Sequence, residues 1–437
     1  MKAIRHVTIV TMGCSKNLVD SEQLLRQFEA IGYAVGHDSE VPSGGIVIVN
    51  TCGFIGDAKE ESIDIILEYA VARKKGRISR LYVMGCLSER YLSDLGKEIP
   101  EVDHFYGKFN WKEVLSDLGE IYRDDLRLER SLTTPSHYAY VKISEGCSRT
   151  CSYCAIPIIT GKHISRSMED ILKEVRILVS NGVKEVQLIA QDLSYYGLDN
   201  YKALKLPELV DQIAQIPGVE WLRLHYTYPY GFPTDLLRVM RERPNVCAYL
   251  DMALQHISDR ILIKMRRKIN AAATIELLKQ IRQEVPGLHL RTTLMVGHPG
   301  ETDEDFRLLC DFVREQRFER MGAFIYSNEE GTYAARKYED NIPEAVKRAR
   351  LDELMLLQQD ISAEINAAKV GQKFKVIIDR EEPEYFVGRT EFDSPDVDPE
   401  VFIIKDKALK IGSFYTIKIN SAGPYDLFGN APTTEND

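Results

Sequence analysis

Three short β-branched runs near the start of this 437-residue chain each end in a cysteine: VTIVTMGC, IVIVNTC and LYVMGC. The predicted strands are His6–Thr11, Ile46–Asn50 and Leu81–Gly85, and helical patterns follow at Asn17–Gly32, Gly56–Lys75 and Ser88–Leu95. Such alternation predicts a parallel sheet flanked by helices. In an open α/β sheet the carboxyl ends of the strands share one crevice. Cys14, Cys52 and Cys86 lie one to three residues past those ends, 38 and 34 residues apart, or about one β/α unit each. Gly13, Gly53 and Gly85 beside them permit close backbone approach to a bulky inorganic core. One cysteine after a strand reads as a buried hydrophobe; three in register predict a cluster site with three thiolate ligands.

A second trio is local. Cys147-Ser-Arg-Thr-Cys151-Ser-Tyr-Cys154 spaces three thiols as CxxxCxxC directly after a predicted strand. Three thiolates on one tight loop suit three irons of a [4Fe–4S] cube and leave the fourth open to a small chelating molecule. A zinc site would ordinarily bring a fourth Cys or His at regular spacing, and none follows closely. The loop is polar and carries Arg149, which argues against three merely buried thiols. Tyr153 is expected to shield the cluster. The two remaining cysteines, Cys247 and Cys310, match no motif and read as packing residues.

Eight cysteines are too few for a disulfide scaffold in so long a chain. No run approaches the ~18–20 apolar residues of a membrane helix. The N-terminal stretch MKAIRHVTIVTMGC has a basic start but too short an apolar run, and no small-residue cleavage site, for a signal peptide. A cytoplasmic protein with no membrane association is expected. The net charge of −10 argues against a surface that coats nucleic acid.

Three units are expected: residues 1–130, 131–369 and 370–437. The segment Thr133–Ser136 reads as a linker. A longer β/α series follows, with strands at Tyr138–Ser144, Glu185–Ile189, Trp221–His225, Ala248–Met252, Leu288–Val296 and Met321–Tyr326, and helical patterns that include Ile257–Arg267. Six such units suit a partial parallel barrel better than a closed eightfold one. A long helix is expected from Pro343, at a first helical position, to about Lys369, packing on the barrel through Leu351, Leu354, Ile361 and Ile365. Beyond it FKVIID, EYFVGRT, VFIIK and FYTIKIN alternate with Gly and Pro, predicting a small all-β barrel. Residues 370–437 hold 8 basic and 13 acidic residues, net −5.

The aromatic before the last cysteine of CxxxCxxC makes the central motif resemble the radical S-adenosylmethionine (SAM) enzymes. There the open iron chelates SAM, and one-electron reduction yields a 5′-deoxyadenosyl radical that abstracts hydrogen from carbon. Two tri-cysteine sites followed by an all-β tail resemble, over the whole chain, the methylthiotransferase family. GCSKNLVDSE (Gly13–Glu22), NTCGFI (Asn50–Ile55), GCLSERY (Gly85–Tyr91), EGCSRTCSYCAIP (Glu145–Pro157) and GHPGET (Gly297–Thr302) carry the likeness. KNLVDSE and LRLHYTYP (Leu222–Pro229) are similar to the branch that modifies an aspartate of a ribosomal protein, the RimO type, rather than the tRNA-modifying branch. Met12, Ser15 and Ala253 depart from the residues usual in that family, at no ligand position.

The resemblance implies two [4Fe–4S] clusters, one on Cys14, Cys52 and Cys86 and one on Cys147, Cys151 and Cys154, together with SAM. It further implies a TRAM tail, a flavodoxin- or ferredoxin-type electron donor, and methylthiolation at the β-carbon of an aspartate in small-subunit ribosomal protein number twelve. The same chemistry on tRNA adenosine is the alternative. A non-catalytic iron–sulfur carrier and a zinc-dependent RNA-binding protein are the readings from other classes. The acidic loops Asp379–Glu384 and Glu391–Glu400 are expected to attract a basic protein and repel phosphate; the plain reading of them is a solvated surface.

Some candidates keep two readings. Gln191 and Asp192 lie past a strand; the resemblance implies a polar role near the SAM amino group, while Asp192 also suits helix capping. Gly297 and Pro299 belong to the loop that the resemblance sets on the adenine side of SAM. His225, Tyr226, Tyr228 and Pro229 line a substrate cavity or simply pack. Arg266, Arg267 and Lys268 answer a helix dipole or contact an anion.

Overall fold

The computed structural model describes residues 5–431, so the extreme ends of the expected first and third units lie outside it. In the first sheet β1 (His6–Thr11), β2 (Ala34–His37), β3 (Ile46–Thr51), β4 (Arg80–Gly85) and β5 (His104–Phe105) are all parallel, in the order β2-β1-β3-β4-β5. Strand periodicity divides the β-branched residues between two cores. Val7, Ile9, Ile46 and Ile48 face one, and Val10, Val47, Val49 and Val83 face the other. Helices α1 (Ser15–Ala30), α2 (Gly56–Lys74) and α3 (Cys86–Glu98) start where the three cysteine runs end. Strand order reverses between β1 and β3, which makes their carboxyl ends the crevice of this sheet. The short β2 and β5 carry too little pattern to be read from sequence.

The second sheet is an open six-stranded parallel barrel. Its strands are β6 (Tyr138–Lys142), β9 (Glu185–Ile189), β10 (Trp221–Thr227), β11 (Val246–Gln255), β12 (His289–Val296) and β13 (Arg320–Ile325). A two-stranded hairpin, β7 (Ser144–Glu145) with β8 (Ile164–Ser165), frames the loop that holds the second cysteine trio. The long helix runs from Glu344 to Ala367; Pro343 sits just before it with extended ψ, one position earlier than expected. Leu354 and Ile361 enter the barrel core, flanked by Leu351 and Ile365. The helix expected over Ile257–Arg267 is confined to Asp259–Lys264. The tail closes into a barrel of β14 (Lys373–Glu381), β15 (Tyr385–Thr390), β16 (Val401–Ile404), β17 (Phe414–Ala422) and β18 (Leu427–Asn430). Among the described residues no helix is long and apolar enough to cross a membrane.

The tail is seated on the amino ends of the large barrel's strands. Buried Glu185 accepts from Arg223 Nε (2.8 Å) and Arg389 Nη2 (2.8 Å), while Arg389 Nε also reaches Asp379 Oδ2 (2.6 Å). Arg320 pairs with Asp393, and Arg291 with Asp398, whose other oxygen accepts from Tyr249. This narrows the reading of Glu391–Glu400 as bait for a basic partner, since Asp393 and Asp398 are spent on arginines of the same chain while Asp396 stays exposed. Asp393 is only 1% exposed. Arginines at the strand ends draw the carboxylates of this loop inward, because a buried cation must find an anion. Asp379 is likewise taken up by Arg389 and His137. Removing one member of such a buried set strands the others. Arg389→Ala is therefore expected to destabilise the docked tail by about 3–5 kcal/mol, measured as earlier thermal unfolding with faster proteolytic release of the tail.

Candidate active site

The N-terminal trio gathers at the crevice. Cys14 precedes α1, Cys52 follows β3, and Cys86 opens α3. Asn17, on the first turn of α1, ties the loops together: its Nδ2 donates to Met12 O (3.0 Å) and Thr51 O (2.9 Å), and its Oδ1 lies 3.8 Å from Cys86 Sγ. Ser62 Oγ accepts from Cys52 N (3.1 Å) and donates to Cys52 O (3.0 Å). The backbone leaves no slack. Gly85 has φ +102°, and a Cβ there would stand 2.5 Å from both Asn50 Oδ1 and Thr51 O; one on Gly13 (φ +89°) would stand 2.8 Å from Cys52 Sγ.

Lys108 is buried among these loops, donating to Asn17 Oδ1 (3.0 Å) and Asp20 Oδ2 (2.5 Å). Desolvation opposes ionisation of all three thiols. At Cys14 the Lys16 and Lys108 ammonium groups overcome it and hold the thiol below its ordinary value, whereas burial pushes Cys52 up and Cys86 up to about 12. Neighbouring Cys14 and Cys52 raise Cys86 further, as thiols within electrostatic reach of one another must.

The second trio sits on the loop between β7 and β8, at the carboxyl end of the large barrel. Cys147 N donates to Gly161 O (3.1 Å), Cys154 N to Cys151 O (3.3 Å), and Ser152 N to Met265 O (2.9 Å). Arg267 turns from the helix end toward the second trio. Its Nη1 lies 3.7 Å from Cys151 Sγ and 3.4 Å from Tyr153 Oη, its guanidinium stacks 4.0 Å over Tyr228, and it donates to Ala253 O. Tyr228 Oη donates to Arg267 O (2.9 Å) and lies 3.7 Å from Cys151 Sγ. Burial pushes Cys147 up to about 12 and raises Cys154 as well.

The other candidates divide. Asp192 spends both oxygens locally, Oδ1 capping the turn at Ser194 N (2.9 Å) and Oδ2 accepting from Arg149 Nε (2.7 Å), so the capping reading holds. Gln191 donates to Glu145 Oε1 (2.5 Å), and its own Oε1 is buried with no partner. Gly297 N is taken by Glu301 Oε2 (2.9 Å) and Pro299 O by Lys264 Nζ (3.3 Å), so this turn is braced internally. His225 lies deeper than its neighbours, its ring 5.7 Å from that of Tyr226. It is buried in the barrel interior against Gln187 Oε1 (2.8 Å) and Ser394 of the tail, because alternate β10 residues point inward. Tyr226 packs against a cluster of Tyr138, Tyr140 and Ile189 from the barrel and Val19 from α1, and Pro229 is buried.

One polar chain joins the two trios. Asp20 accepts from Lys108 (2.5 Å) and, across the domain boundary, from Lys142 Nζ (2.5 Å); Lys142 continues to Glu145 Oε2 (2.8 Å), two residues from Cys147. Sequence reasoning did not single out Asn17, Asp20, Lys108, Lys142 or Glu145. The available signal was polar residues at helical spacing on the inward face of α1, where apolar ones belong.

Among the described residues no three His, Cys, Asp or Glu side chains converge on a point where a single metal ion would sit. A cubane spreads its thiolates over different irons, so convergence on one point is not what it needs. Three thiols per site, glycine-tight loops, Arg267 beside one trio, Lys108 beside the other and the orphaned Gln191 oxygen fit that larger group with a chelated amino acid.

Residues 141–313 match the radical SAM superfamily, residues 6–107 the uncharacterized protein family UPF0004, and residues 370–431 the TRAM domain. The fold is shared with the radical SAM methyltransferase TsrM of Kitasatospora setae, a structure with cobalamin and a [4Fe–4S] cluster bound. That likeness has TM-score 0.54 at 15% identity, over 74% of this chain and 72% of that one. Fold and matches thus define a radical SAM protein. Ribosomal protein uS12 methylthiotransferase RimO of Bacteroides thetaiotaomicron is 65% identical over 97% of this chain and 98% of its own length. The proteins of that name from Porphyromonas gingivalis and Cytophaga hutchinsonii are 62% and 52% identical over 97% of this chain and 98% and 97% of their own lengths. The chain belongs to the RimO family of radical SAM methylthiotransferases.

Gly85→Ala adds a Cβ into backbone and Asn50 at a positive φ, and is expected to cost about 2 kcal/mol or more. Gly76→Ala, also at positive φ (+68°) but with nothing within 4 Å of a Cβ, costs about 1 kcal/mol. Thermal unfolding of the two variants side by side checks the difference.

Proposed function

We propose that this chain inserts a methylthio group at the β-carbon of an aspartate in ribosomal protein uS12, using SAM and two [4Fe–4S] clusters. The observation that carries the reading is the pairing of two three-thiol sites, each at the carboxyl ends of parallel strands, joined by the Asp20–Lys142–Glu145 chain. In this reading residues 1–130 carry the sulfur-bearing site on Cys14, Cys52 and Cys86, residues 131–369 the radical site on Cys147, Cys151 and Cys154, and residues 370–437 the tail. Bound there, the clusters and SAM supply a hydrogen-abstracting radical on one side and a methylatable sulfur on the other.

The chain's own residues do the rest. Arg267 sets a fixed positive charge beside the radical-site thiolates, where a low dielectric strengthens it. Tyr153 and Tyr228 cover that face and exclude water. Gln191, oriented by Glu145, offers its free oxygen to the SAM ammonium group. Lys108 offsets the anionic charge of the N-terminal trio. In this reading Gly297 and Pro299 form the braced turn on the adenine side of SAM. The Asp20 bridge holds the two sites in one register, so that abstraction and sulfur transfer address the same carbon.

A net charge of −10 favours a lysine- and arginine-rich ribosomal protein over tRNA by its sign. With Asp393 and Asp398 turned inward, any contribution of the tail to docking comes from its remaining outer surface, Asp396 included. The proposed setting is the cytoplasm, with a flavodoxin- or ferredoxin-type protein as reductant.

Anaerobic incubation of full-length enzyme with SAM, reductant and uS12 is expected to raise the mass of uS12 by one methylthio group in place of one hydrogen, with tRNA unchanged. An unmodified uS12 beside modified tRNA would overturn the substrate. Reconstituted enzyme is expected to hold about eight irons. The triple variant Cys14→Ala, Cys52→Ala, Cys86→Ala should hold about four and still cleave SAM, but leave uS12 unmodified. Binding of tRNA, if any, should fall steeply with salt, because phosphate contacts release counterions.

A further inference from the structure

We propose that Lys16 receives the side-chain carboxylate of the substrate aspartate and thereby selects aspartate at the reacting position. The inference rests on the substrate reading above and names the residue that enforces it.

Lys16 lies two residues past Cys14 on the first turn of α1, and its ammonium stands 3.8 Å from the centre of the Tyr226 ring. Tyr226 is at the carboxyl end of β10 with φ +64°, and its N–H is held by Asp251 Oδ2 (3.3 Å). A bulky residue keeps such a conformation only when its surroundings impose it. Here the ring packs with Tyr138, Tyr140 and Ile189 of the barrel strands and with Val19 of α1. Two residues on, Tyr228 reaches Cys151 Sγ. Lys16 therefore stands at the barrel mouth on the path from one thiol trio to the other.

The surrounding carboxylates are paired with other cations; Lys16 acts on the Cys14 thiol but has no carboxylate of its own. Asp20 is shared by Lys108 and Lys142. Glu145, the carboxylate that faces Lys16, is filled by Lys142 on one oxygen and Gln191 on the other. Among the described residues the Lys16 ammonium has neither an ion-pair nor a hydrogen-bond partner; the Tyr226 ring covers one side and leaves its N–H donors available. A half-buried ammonium with unused N–H donors gains a charge-assisted contact when a carboxylate arrives. In aspartate the β-carbon is bonded directly to the carboxylate carbon. Holding the carboxylate on Lys16 therefore fixes the reacting carbon within one bond of a known point, between the sites that would abstract its hydrogen and deliver sulfur.

The test uses full-length reconstituted enzyme and two forms of uS12, native and with the modified aspartate changed to asparagine, with Kd measured by fluorescence anisotropy. Wild type is expected to bind the aspartate form about tenfold more tightly, the equivalent of one charge-assisted contact. Lys16→Met should bring the ratio to about one by weakening only the aspartate form, and Lys16→Arg should keep most of it. An iron content equal to wild type excludes a general loss of structure. A ratio unchanged in Lys16→Met, or equal loss of both forms, overturns the role of Lys16. If wild type binds neither form, the substrate reading fails and the inference falls with it.

Discussion

Asp20 accepts two ammonium groups from opposite sides of a domain boundary, Lys108 from its own sheet and Lys142 from the first strand of the barrel. Three buried or nearly buried charges in such contact tolerate little displacement, since pulling any one away leaves the others unpaired in a low dielectric. That intolerance is useful. It mounts α1, and with it Cys14, Lys16 and Asn17, at a set height above the barrel mouth where Glu145 and the second trio begin. Further pairs reinforce the seam at its edges, Arg90 and Lys59 to Glu329 and Arg130 to Glu22 and Glu174.

The opposite end of the barrel is governed by the same rule. Arg223, Arg291 and Arg320 point inward from strand ends that a purely apolar core would have filled with aliphatic residues. The tail supplies Glu391, Asp393 and Asp398 to meet them or their backbone neighbours. The six-stranded barrel is open along one side, and its lumen is closed from below by a loop of another domain. Charge complementarity here seats a domain on its neighbour within the chain, and it leaves that loop little charge to offer a partner.

Much of this was legible in the residues. The β-branched runs had to become buried parallel strands because they offer no polar face. Cysteines one to three residues past them had to meet, because parallel strands end together. CxxxCxxC is local and needs no tertiary knowledge. Less legible were residues whose meaning depends on a distant partner. Arg267 reads along the chain as the end of a short helix, and only the fold brings it against Cys151. Lys108 follows a two-residue strand with no pattern around it. His225 shares a motif with Tyr226 and Tyr228, yet it pairs with Gln187 and Ser394 in the barrel interior while Tyr228 reaches the second trio.

Short-range periodicity and spacing suffice to set the two thiol trios, the parallel sheets that present them and the small β-barrel at the end. Which charges neutralise one another is a property of the folded chain alone. An acidic loop attracts a partner from solution or a buried arginine of its own chain according to which cation lies nearer, and that distance spans separations such as Asp393 to Arg320. For the same reason the unpaired ammonium of Lys16 emerges only after every neighbouring carboxylate has been assigned to another cation.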